Sequence, residues 1–349
     1  MRKLVTLPLT LAGAAAAGLA YAHKVEPAIF RLRRYEVPVL PRGVRPLRIL
    51  QVSDIHMIPE QYRKVRWLRS LAALEPDFVV NTGDNLSHPD GIGSVLDALE
   101  PLMELPGVFV MGSNDYLAAK PLNPTKYLRR GDPSERTRGQ GPLNDWQQLR
   151  DGFLKAGWLD LTNRSDCLTL PGASGPVIGL VGVDDPHIRR DDYAAAGAEL
   201  VAAGRGSAGS ASGGGGTSST NGTGGTASGP APSKASNQAL GTHSAARTLP
   251  DTDITLGVVH APYRRVLDAM SADGLPLILA GHTHGGQLRL PLFGALVTNC
   301  DLDRHRASGL STYGDSHLHV SAGCGTSRYA QVRFCCPPEA TLLTLTPHS

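Results

Sequence analysis

Four short apolar runs in this 349-residue chain each end in side chains that commonly bind metal ions. The motifs that end these runs are Ser53-Asp54-Ile55-His56, Thr82-Gly83-Asp84-Asn85, Val259-His260-Ala261-Pro262 and Gly281-His282-Thr283-His284-Gly285-Gly286. In Asp54-x-His56 and in His282-x-His284 both side chains lie on one side of an extended segment, so each pair can face one metal centre. Mixed carboxylate and imidazole ligands favour Mn, Fe or Zn. The set is large enough for two divalent ions, which can activate water for phosphoryl transfer.

The motifs differ in how strongly each indicates a metal site. An isolated Asp-x-His or Gly-Asp after a strand is more often a cap or a turn. Alone, His260 would more often be an ordinary core histidine. Two histidines in the glycine-rich segment 281–286 contribute neither packing nor turn chemistry. The complete ordered set therefore favours a metal site over four unrelated structural features.

The elements expected to hold these motifs are short buried strands that alternate with helices. Apolar and β-branched runs predict strands at 47–52, 78–81, 108–111, 177–183, 254–259 and 276–280. Helical patterns at 61–74 and 93–104 lie between the first of these runs. This alternation predicts an α/β domain with largely parallel pairing in its first half. Ligands collect at the carboxyl ends of strands in such sheets, so the four motifs can converge there.

The ordered motifs resemble those of the calcineurin-like metallophosphoesterases over roughly residues 48–287. The resemblance is carried by Asp54-x-His56, Gly83-Asp84, Gly112-x-x-Asp115, His260 and Gly281-His282-Thr283-His284. Residues 54–57 and 281–287 are most similar to the membrane-anchored bacterial branch of the family. The resemblance implies a four-layer αββα sandwich with two mixed β-sheets. It also implies hydrolysis of a phosphomonoester or phosphodiester through attack by a metal-bridging hydroxide.

The same resemblance implies a set of ligands for two metal ions. The residues at the matching positions are Asp54, His56, Asp84, Asn114, His260, His282 and His284. Asp54, His56 and His284 would hold one ion. Asp84 would bridge both ions, and the remaining three residues would hold the other.

The third motif departs from the family pattern, which usually reads Gly-Asn-His-Asp. This chain reads Gly112-Ser113-Asn114-Asp115. Aligned without a gap, Ser113 replaces the metal-binding Asn, and Asn114 replaces the His thought to protonate the leaving group. Shifted by one residue, Asn114 is the ligand, an alignment we favour because Asn is the better oxygen donor.

In either alignment the usual general acid is absent, so no catalytic residue is assigned from the sequence. General acid catalysis typically contributes about 10²–10⁴-fold, and its loss would favour substrates with good leaving groups. His187 is a candidate replacement, although a surface-loop role is the simpler interpretation of that residue.

The first 22 residues differ from the rest of the chain. Arg2 and Lys3 precede an uncharged stretch at 4–22 that ends in Ala20-Tyr21-Ala22, a pattern typical of an export signal. An uncleaved signal anchor is slightly favoured over a cleaved signal peptide, because the stretch approaches the roughly 20 residues that span a bilayer. The positive-inside rule then places the body on the extracytoplasmic side of the cell membrane, or outside the cell if the signal is cleaved.

Beyond this segment we expect a juxtamembrane stalk at 23–46 and a metallophosphoesterase domain at 47–346. Two insertions interrupt the domain. Residues 117–143 are rich in Pro, Lys and Arg, and form either a cap near the site or a long surface loop. Residues 204–236 are nearly pure Gly, Ser, Thr and Ala, a composition that predicts disorder. The polar residues that follow the last metal motif either line a substrate pocket or form a solvated face; these are Arg289, Asn299, Asp301, Asp303, Arg304, His305 and Arg306.

Composition limits the remaining functional classes. With 34 Lys and Arg against 31 Asp and Glu, the formal charge of +3 gives no support for nucleic-acid binding. The five cysteines lack zinc-finger spacing and are interpreted mainly as small buried hydrophobes. The expected partners are a phosphoester substrate, lipid-linked or nucleotide, and a membrane contacted through the N-terminal segment. The rival hypothesis, motivated by the missing acid, is a non-catalytic metal-binding scaffold or sensor at the membrane.

Overall fold

The computed structural model describes residues 13, 15–118, 141–172, 175–196, 251–327 and 331–348. The segment predicted to be disordered, 204–236, lies outside the described residues, as do most of the insertion at 117–143 and residues 1–12. Within the described ranges, no helix combines the length and the apolar character needed to cross a bilayer.

Two six-stranded mixed sheets form the centre of the protein. In spatial order, the first sheet contains β1 (Arg31–Leu40), β14 (Glu339–Pro347), β2 (Leu47–Val52), β3 (Phe78–Asn81), β4 (Gly107–Phe109) and β5 (Leu159–Asp160). The second sheet contains β12 (Gly309–Tyr313), β13 (Ser316–Val320), β9 (Leu277–Ala280), β8 (Ile254–Val259), β7 (Val177–Gly182) and β6 (Arg164–Thr169). Strands β2 to β5 are parallel to one another, and so are β7, β8, β9 and β13. The parallel pairing predicted for the first half of the domain is therefore confirmed.

Helices cover the outer faces of both sheets and complete four layers. Apolar side chains of β2 show why both faces of this strand must be covered. Leu47 and Ile49 pack between the two sheets, whereas Leu50 and Val52 pack with residues of the helices on the outer face. The helices on the first sheet are α1 (Tyr62–Ser70), α2 (Ile92–Met103) and α4 (Trp146–Lys155). On the second sheet α5 (Arg264–Ala272) packs through Val266, Leu267 and Met270. The αββα sandwich is confirmed.

The segment expected to be a stalk contributes a strand to the first sheet. Strand β1 pairs in parallel with β14, in register from Arg31 opposite Glu339 to Val37 opposite Leu345. The buried side chains of Val37, Val39 and Leu40 join the core between the sheets. A juxtamembrane stalk was expected at 23–46, but Arg31–Leu40 form an outer strand of the sheet, because alternate apolar side chains can bury one face against the sandwich. The boundary at Leu47 thus falls inside the folded sheet.

A buried histidine outside the metal motifs predicts a pH dependence of stability. His319 lies on β13, its Nδ1 atom is 2.6 Å from Oε1 of Gln51, and its Nε2 atom has no hydrogen-bond partner among the described residues. Burial lowers the pKa of His319 to about 3, below its ordinary value of 6.5. The unfolded chain therefore binds more protons below pH 6.5, and unfolding becomes easier as the pH falls.

We expect His319 to reduce the free energy of unfolding by about 2 kcal/mol between about pH 7 and pH 5. The measurement is urea unfolding of the native protein and of His319→Gln across this range. The difference between the two proteins isolates His319 from other titrating groups. Equal pH slopes for both proteins would contradict the assignment.

Candidate metal centre

The metal-ligand motifs lie where four parallel strands end. Asp54 and His56 follow β2, Asp84 follows β3, His260 follows β8, and His282 follows β9. Because β2 pairs with β3 and β8 pairs with β9, the carboxyl ends of each pair lie side by side. The two sheets face each other across the central core, so all four strand ends meet at one edge of the sandwich.

The ligand residues have unusual backbone conformations. The φ angles are positive at Asp54 (48°), His56 (46°), Asp84 (55°), His282 (69°) and His284 (51°). Non-glycine residues rarely adopt this left-handed region, and each instance costs on the order of 1–3 kcal/mol. Strained backbone of this kind clusters at functional sites, where surrounding contacts maintain it. The turn conformation lets each side chain leave its strand and point toward the shared edge.

Asp54, His56, Asp84 and His284 form the first group of ligands. One ligand atom from each lies within 4.8 Å of the others, and all four residues are buried. Nε2 of His56 is 3.0 Å from Nε2 of His284 and 3.6 Å from Oδ2 of Asp84. Nε2 of His284 is 3.5 Å from Oδ1 of Asp54. One cation between these atoms would contact two carboxylates and two imidazoles.

Asp84, His260 and His282 form the second group. Their ligand atoms also lie within 4.8 Å of one another. Nε2 of His260 is 3.4 Å from Oδ2 of Asp84, and Nδ1 of His282 is 3.3 Å from Nε2 of His260. Asp84 is the residue shared by both groups, which is the position expected of a bridging carboxylate.

The hydrogen bonds of the imidazoles fit metal binding. Nδ1 of His260 lies 2.7 Å from the carbonyl oxygen of Thr82, and Nε2 of His282 lies 3.2 Å from that of Asn299. A carbonyl oxygen only accepts, so each of these ring nitrogens carries a proton and donates it. In a neutral ring the other nitrogen then has a free lone pair, and in both residues that nitrogen faces the ligand group. The donor set of this site thus fits divalent cations.

The imidazole of His56 is hydrogen-bonded to the side chain of Ser87, with 2.9 Å between Nδ1 of His56 and Oγ of Ser87. We expect Ser87→Ala to weaken metal affinity by about 10–100-fold, because partners of this kind orient the ligand and determine its tautomer. The measurement is competition with a fluorescent chelator. Exposed Ser70 provides the matched control Ser70→Ala, which should bind metal normally. Unchanged affinity in Ser87→Ala would show that Ser87 does not orient His56.

Burial keeps most of the imidazoles neutral. It lowers the pKa of His56 to about 4 and lowers those of His282 and His284 well below the ordinary value. Neutral imidazole is the form that binds a metal. Burial also raises the pKa of Asp54 to about 6, because desolvation disfavours the charged carboxylate.

Asp84 and His260 form a charged pair at the centre of the site. Burial opposes charge on both groups and is the largest single effect, but their attraction to each other, their hydrogen bond and the charges of neighbouring residues together outweigh it. The imidazole of His260 holds the pKa of Asp84 well below its usual range, and the carboxylate raises the pKa of His260 well above its own. A cation bound at Asp84 would displace the proton that His260 otherwise holds.

The third motif also lies at the site. The backbone N–H of Asn114 donates to Oδ1 of Asp84 at 2.8 Å, and its amide Nδ2 donates to Oδ2 at 2.6 Å. Asn114 lies on the short helix α3 (Ser113–Tyr116), which directly follows Gly112. A Cβ atom at Gly112 would overlap the Asp84 carboxylate, so only glycine allows this close approach. The structure thus places the side chain of Asn114 next to the shared carboxylate.

Asp115 organises the same loop without facing the ligands. Its buried carboxylate accepts backbone N–H groups from Gly112, Asp84, Asn85 and Leu86 at 2.7–3.2 Å. These bonds tie the second motif to the third. Its position in the Gly112-x-x-Asp115 motif was a sequence signal, but the sequence alone assigned it no role.

His187 is buried against the site. The centre of its ring is 4.5 Å from that of His282, and its Nδ1 atom is 3.0 Å from the Tyr263 hydroxyl oxygen. The simpler surface-loop interpretation of His187 is therefore wrong. His187 lies in a 3₁₀ turn, Pro186–Ile188, which follows the carboxyl end of β7 after three residues. This position brings His187 to the same edge of the sandwich as the candidate ligands.

Two buried basic side chains near the site were not expected from the sequence. Arg333 is fully buried, donates to the carbonyl oxygens of Ala322 and Cys336, and lies 3.4 Å from Nδ1 of His284. Nζ of Lys64 donates to the carbonyl oxygen of Ile55 at 2.7 Å, and burial lowers its pKa to about 7. Neither residue lies in a recognisable motif, so only tertiary packing identifies them.

The polar residues that follow the last metal motif divide between the two roles considered for them. Asn299 contacts His282 at the site. Asp301, Asp303, Arg304 and His305 are exposed, as expected for a solvated face.

Comparisons with known proteins find one family model, two sequence relatives and two solved structures of interest. Residues 47–191 match the family model described as Calcineurin-like phosphoesterase. Over these residues the chain is similar in sequence to calcineurin-like phosphoesterases. The matched range includes the first three motifs, whereas His260, His282 and His284 lie beyond it and join the site through the second sheet.

Two bacterial proteins are similar in sequence. An uncharacterized metallophosphoesterase of Bacillus subtilis, YkuE, is 24% identical over 343 residues, which cover 95% of this chain and 91% of that protein. The phosphodiesterase YaeI of Escherichia coli is 40% identical over 78 residues, or 22% of this chain and 28% of that protein.

Two solved structures are similar to this chain with low TM-scores and low sequence identity. The Thermus thermophilus protein TT1561 has a TM-score of 0.38 at 10% identity, with 80% of this chain and 91% of that chain covered. GAP50, the anchor in the inner membrane complex of Plasmodium, has a TM-score of 0.36 at 10% identity, with 81% and 72% covered.

Proposed function

We propose that this chain is a metal-dependent phosphoesterase that hydrolyses a phosphomonoester or a phosphodiester on the extracytoplasmic side of the cell membrane. The observation that carries the proposal is the pair of buried Asp/His groups that share Asp84. Two adjacent cation sites joined by one carboxylate are the arrangement used for in-line displacement at phosphorus. The phosphodiesterase relative in Escherichia coli supports testing phosphodiesters first.

In this proposal the two groups hold two divalent ions, of which Mn, Fe and Zn best suit the ligands. Asp54, His56 and His284 hold one ion, and His260, His282 and Asn114 hold the other. Asp84 contacts both ions. Cations at these positions would lower the pKa of a water molecule and neutralise charge on the phosphoryl oxygens.

The remaining residues of the site position these ligands. Ser87, Thr82 and Asn299 orient three imidazoles through the hydrogen bonds described above. Asp115 maintains the loop that brings Asn114 to Asp84. Asn114 cannot donate a proton as an imidazolium can, so we propose that the enzyme prefers substrates whose leaving group departs without protonation.

The direct test is hydrolysis of a chromogenic aryl phosphodiester by the purified protein after addition of Mn²⁺, Fe²⁺ or Zn²⁺. We expect metal-dependent release of the phenolate and much slower cleavage of the matched alkyl phosphodiester. Metal content of the same sample is measured in parallel. Bound metal without turnover on phosphomonoesters or phosphodiesters would instead support a metal-binding scaffold or sensor at the membrane.

The location is a separate part of the proposal and rests on the uncharged N-terminal stretch at 4–22. Fusion of alkaline phosphatase to the C-terminus of the full chain tests it, because that reporter is active only outside the cytoplasm. An inactive fusion that is nevertheless expressed would place the body inside the cell.

A further inference from the structure

An apolar hairpin directly follows the last metal-ligand motif. Its strands β10 (Arg289–Leu290) and β11 (Gly294–Ala295) pair antiparallel. Exposed large apolar side chains lie on and beside these strands, namely Leu288, Leu290, Leu292, Phe293 and Leu296. Leu292, in the turn, is completely exposed. A group of large apolar side chains on one exposed hairpin indicates an interaction surface rather than ordinary protein surface. We call residues 288–296 the apolar hairpin.

The apolar hairpin and the N-terminal helical segment, residues 15–28, both contact the same short stretch of chain, residues 331–336. Leu288 forms a parallel bridge with Phe334. The adjacent residue, Arg333, donates its backbone N–H to the carbonyl oxygen of Ala22 at 2.8 Å. The hairpin base and the end of the N-terminal helical segment therefore lie on neighbouring parts of one surface.

The N-terminal helical segment is itself apolar and exposed. Leu19, Tyr21 and Val25 present 65%, 40% and 47% of their surface to solvent. The sequence contains no charged residue from 4 to 22. The described end of this uncharged stretch lies next to residues 331–336, the part of the chain that also contacts the base of the apolar hairpin.

Basic side chains border these apolar groups. The guanidinium of exposed Arg304 lies over the Phe293 ring, 4.0 Å from its centre. Lys24 is exposed at the end of the N-terminal stretch. Apolar side chains flanked by Lys and Arg are typical of surfaces that enter the boundary between acyl chains and anionic headgroups.

The metal centre lies next to the same stretch of chain. The Cys336 thiol donates to the carbonyl oxygen of the ligand residue His284 at 3.3 Å. A lipid surface in contact with the hairpin would therefore lie close to the metal centre. This placement suits a site that acts near lipid headgroups, but the contact surface itself does not depend on catalysis.

We propose that the apolar hairpin inserts into the surface of an anionic phospholipid bilayer, beside the N-terminal segment. Leu292 and Phe293 enter the boundary of the acyl chains, and Arg304 stays at the level of the phosphates.

Tryptophan quenching in the full chain tests the insertion at the hairpin itself. The variant Phe293→Trp is mixed with vesicles of equal parts phosphatidylcholine and phosphatidylglycerol, in which the phosphatidylcholine carries bromine on its acyl chains. Emission of the native protein in the same vesicles is subtracted, because its three tryptophans also fluoresce. The remaining emission comes from the introduced tryptophan, and we expect the brominated lipid to quench on the order of half of it. The reason is that aromatic rings at the membrane interface approach the acyl chains. The matched control, Leu154→Trp on α4, should lose little.

Two further measurements make the result decisive. Adding Leu292→Asp to the Phe293→Trp variant should abolish most of the quenching, even if the N-terminal segment still holds the protein on vesicles. Vesicles without phosphatidylglycerol should give weaker quenching. Unquenched emission in anionic vesicles would overturn the proposal. Emission that shifts with protein concentration in the absence of lipid would overturn it in favour of a contact between two copies of the chain.

Discussion

Asp84→Ala should abolish phosphoesterase activity and remove most of the bound metal. Asp84 is the residue common to both ligand groups, and its Oδ2 atom lies 3.6 Å from Nε2 of His56 and 3.4 Å from Nε2 of His260. Loss of an outer partner of a ligand typically costs about 10–100-fold in affinity or activity, so loss of a shared ligand should cost more than about 100-fold. Metal analysis of the purified variant and steady-state hydrolysis of the aryl phosphodiester measure the two effects.

Asp90→Ala is the matched control for this prediction. Asp90 follows the same motif in sequence, but its side chain is 80% exposed and contacts no ligand. The control should keep normal metal content and activity. An Asp84→Ala protein that retains its full metal content would rule out the bridging role, whatever its activity.

Asp115→Ala should destabilise the protein and disable the site, although Asp115 contacts no metal position. Its carboxylate accepts four backbone N–H groups, and the substitution would leave these donors buried without partners. A buried donor that loses its partner costs about 1–3 kcal/mol, so even partial relaxation should leave a loss of about 3 kcal/mol or more in the free energy of unfolding. Because Asp84 N–H is one of the donors, metal affinity should fall as well.

Urea unfolding and metal binding of Asp115→Ala are compared with those of Asp145→Ala. Exposed Asp145 also accepts a backbone N–H, from Gln148 at the start of α4, and loss of this single cap should cost only about 1 kcal/mol. If both variants lose the same stability, the four hydrogen bonds of Asp115 do not hold the loop together. Asp115→Asn, which keeps the size but places an amide against the N–H groups, should resemble the alanine variant.

Much of the site could be predicted from local sequence. The six Asp and His residues of the site each follow an apolar run, and the structure brings them together; these residues are Asp54, His56, Asp84, His260, His282 and His284. These side chains come together because parallel strands end at a common edge, so residues that follow such strands are neighbours whatever their separation along the chain. The left-handed backbone at five ligands carried no equally clear signal, because only the surrounding contacts maintain it.

The sheet partner of the segment before Leu47 could not be predicted in the same way. Residues 23–46 were expected to form a stalk, but Arg31–Leu40 pair with Glu339–Pro347, which lie more than 300 residues later in the chain. The alternating pattern of a strand predicts that one of its faces will be buried, but it does not predict which strand will pair with it. The buried position of His187 escaped prediction for a similar reason, because its neighbours Tyr263 and His282 come from distant parts of the chain.

By itself, the sequence determined the α/β class, the order of the strands that carry ligands and the chemical types at the site, because these follow from local periodicity and from the residue types at strand ends. Only the tertiary structure decided that Asp115 binds four backbone N–H groups, and that Arg333 and Lys64 are buried close to the candidate ligands. The reason is that a shared contact depends on distances between segments far apart in the chain, and packing of the two sheets sets those distances.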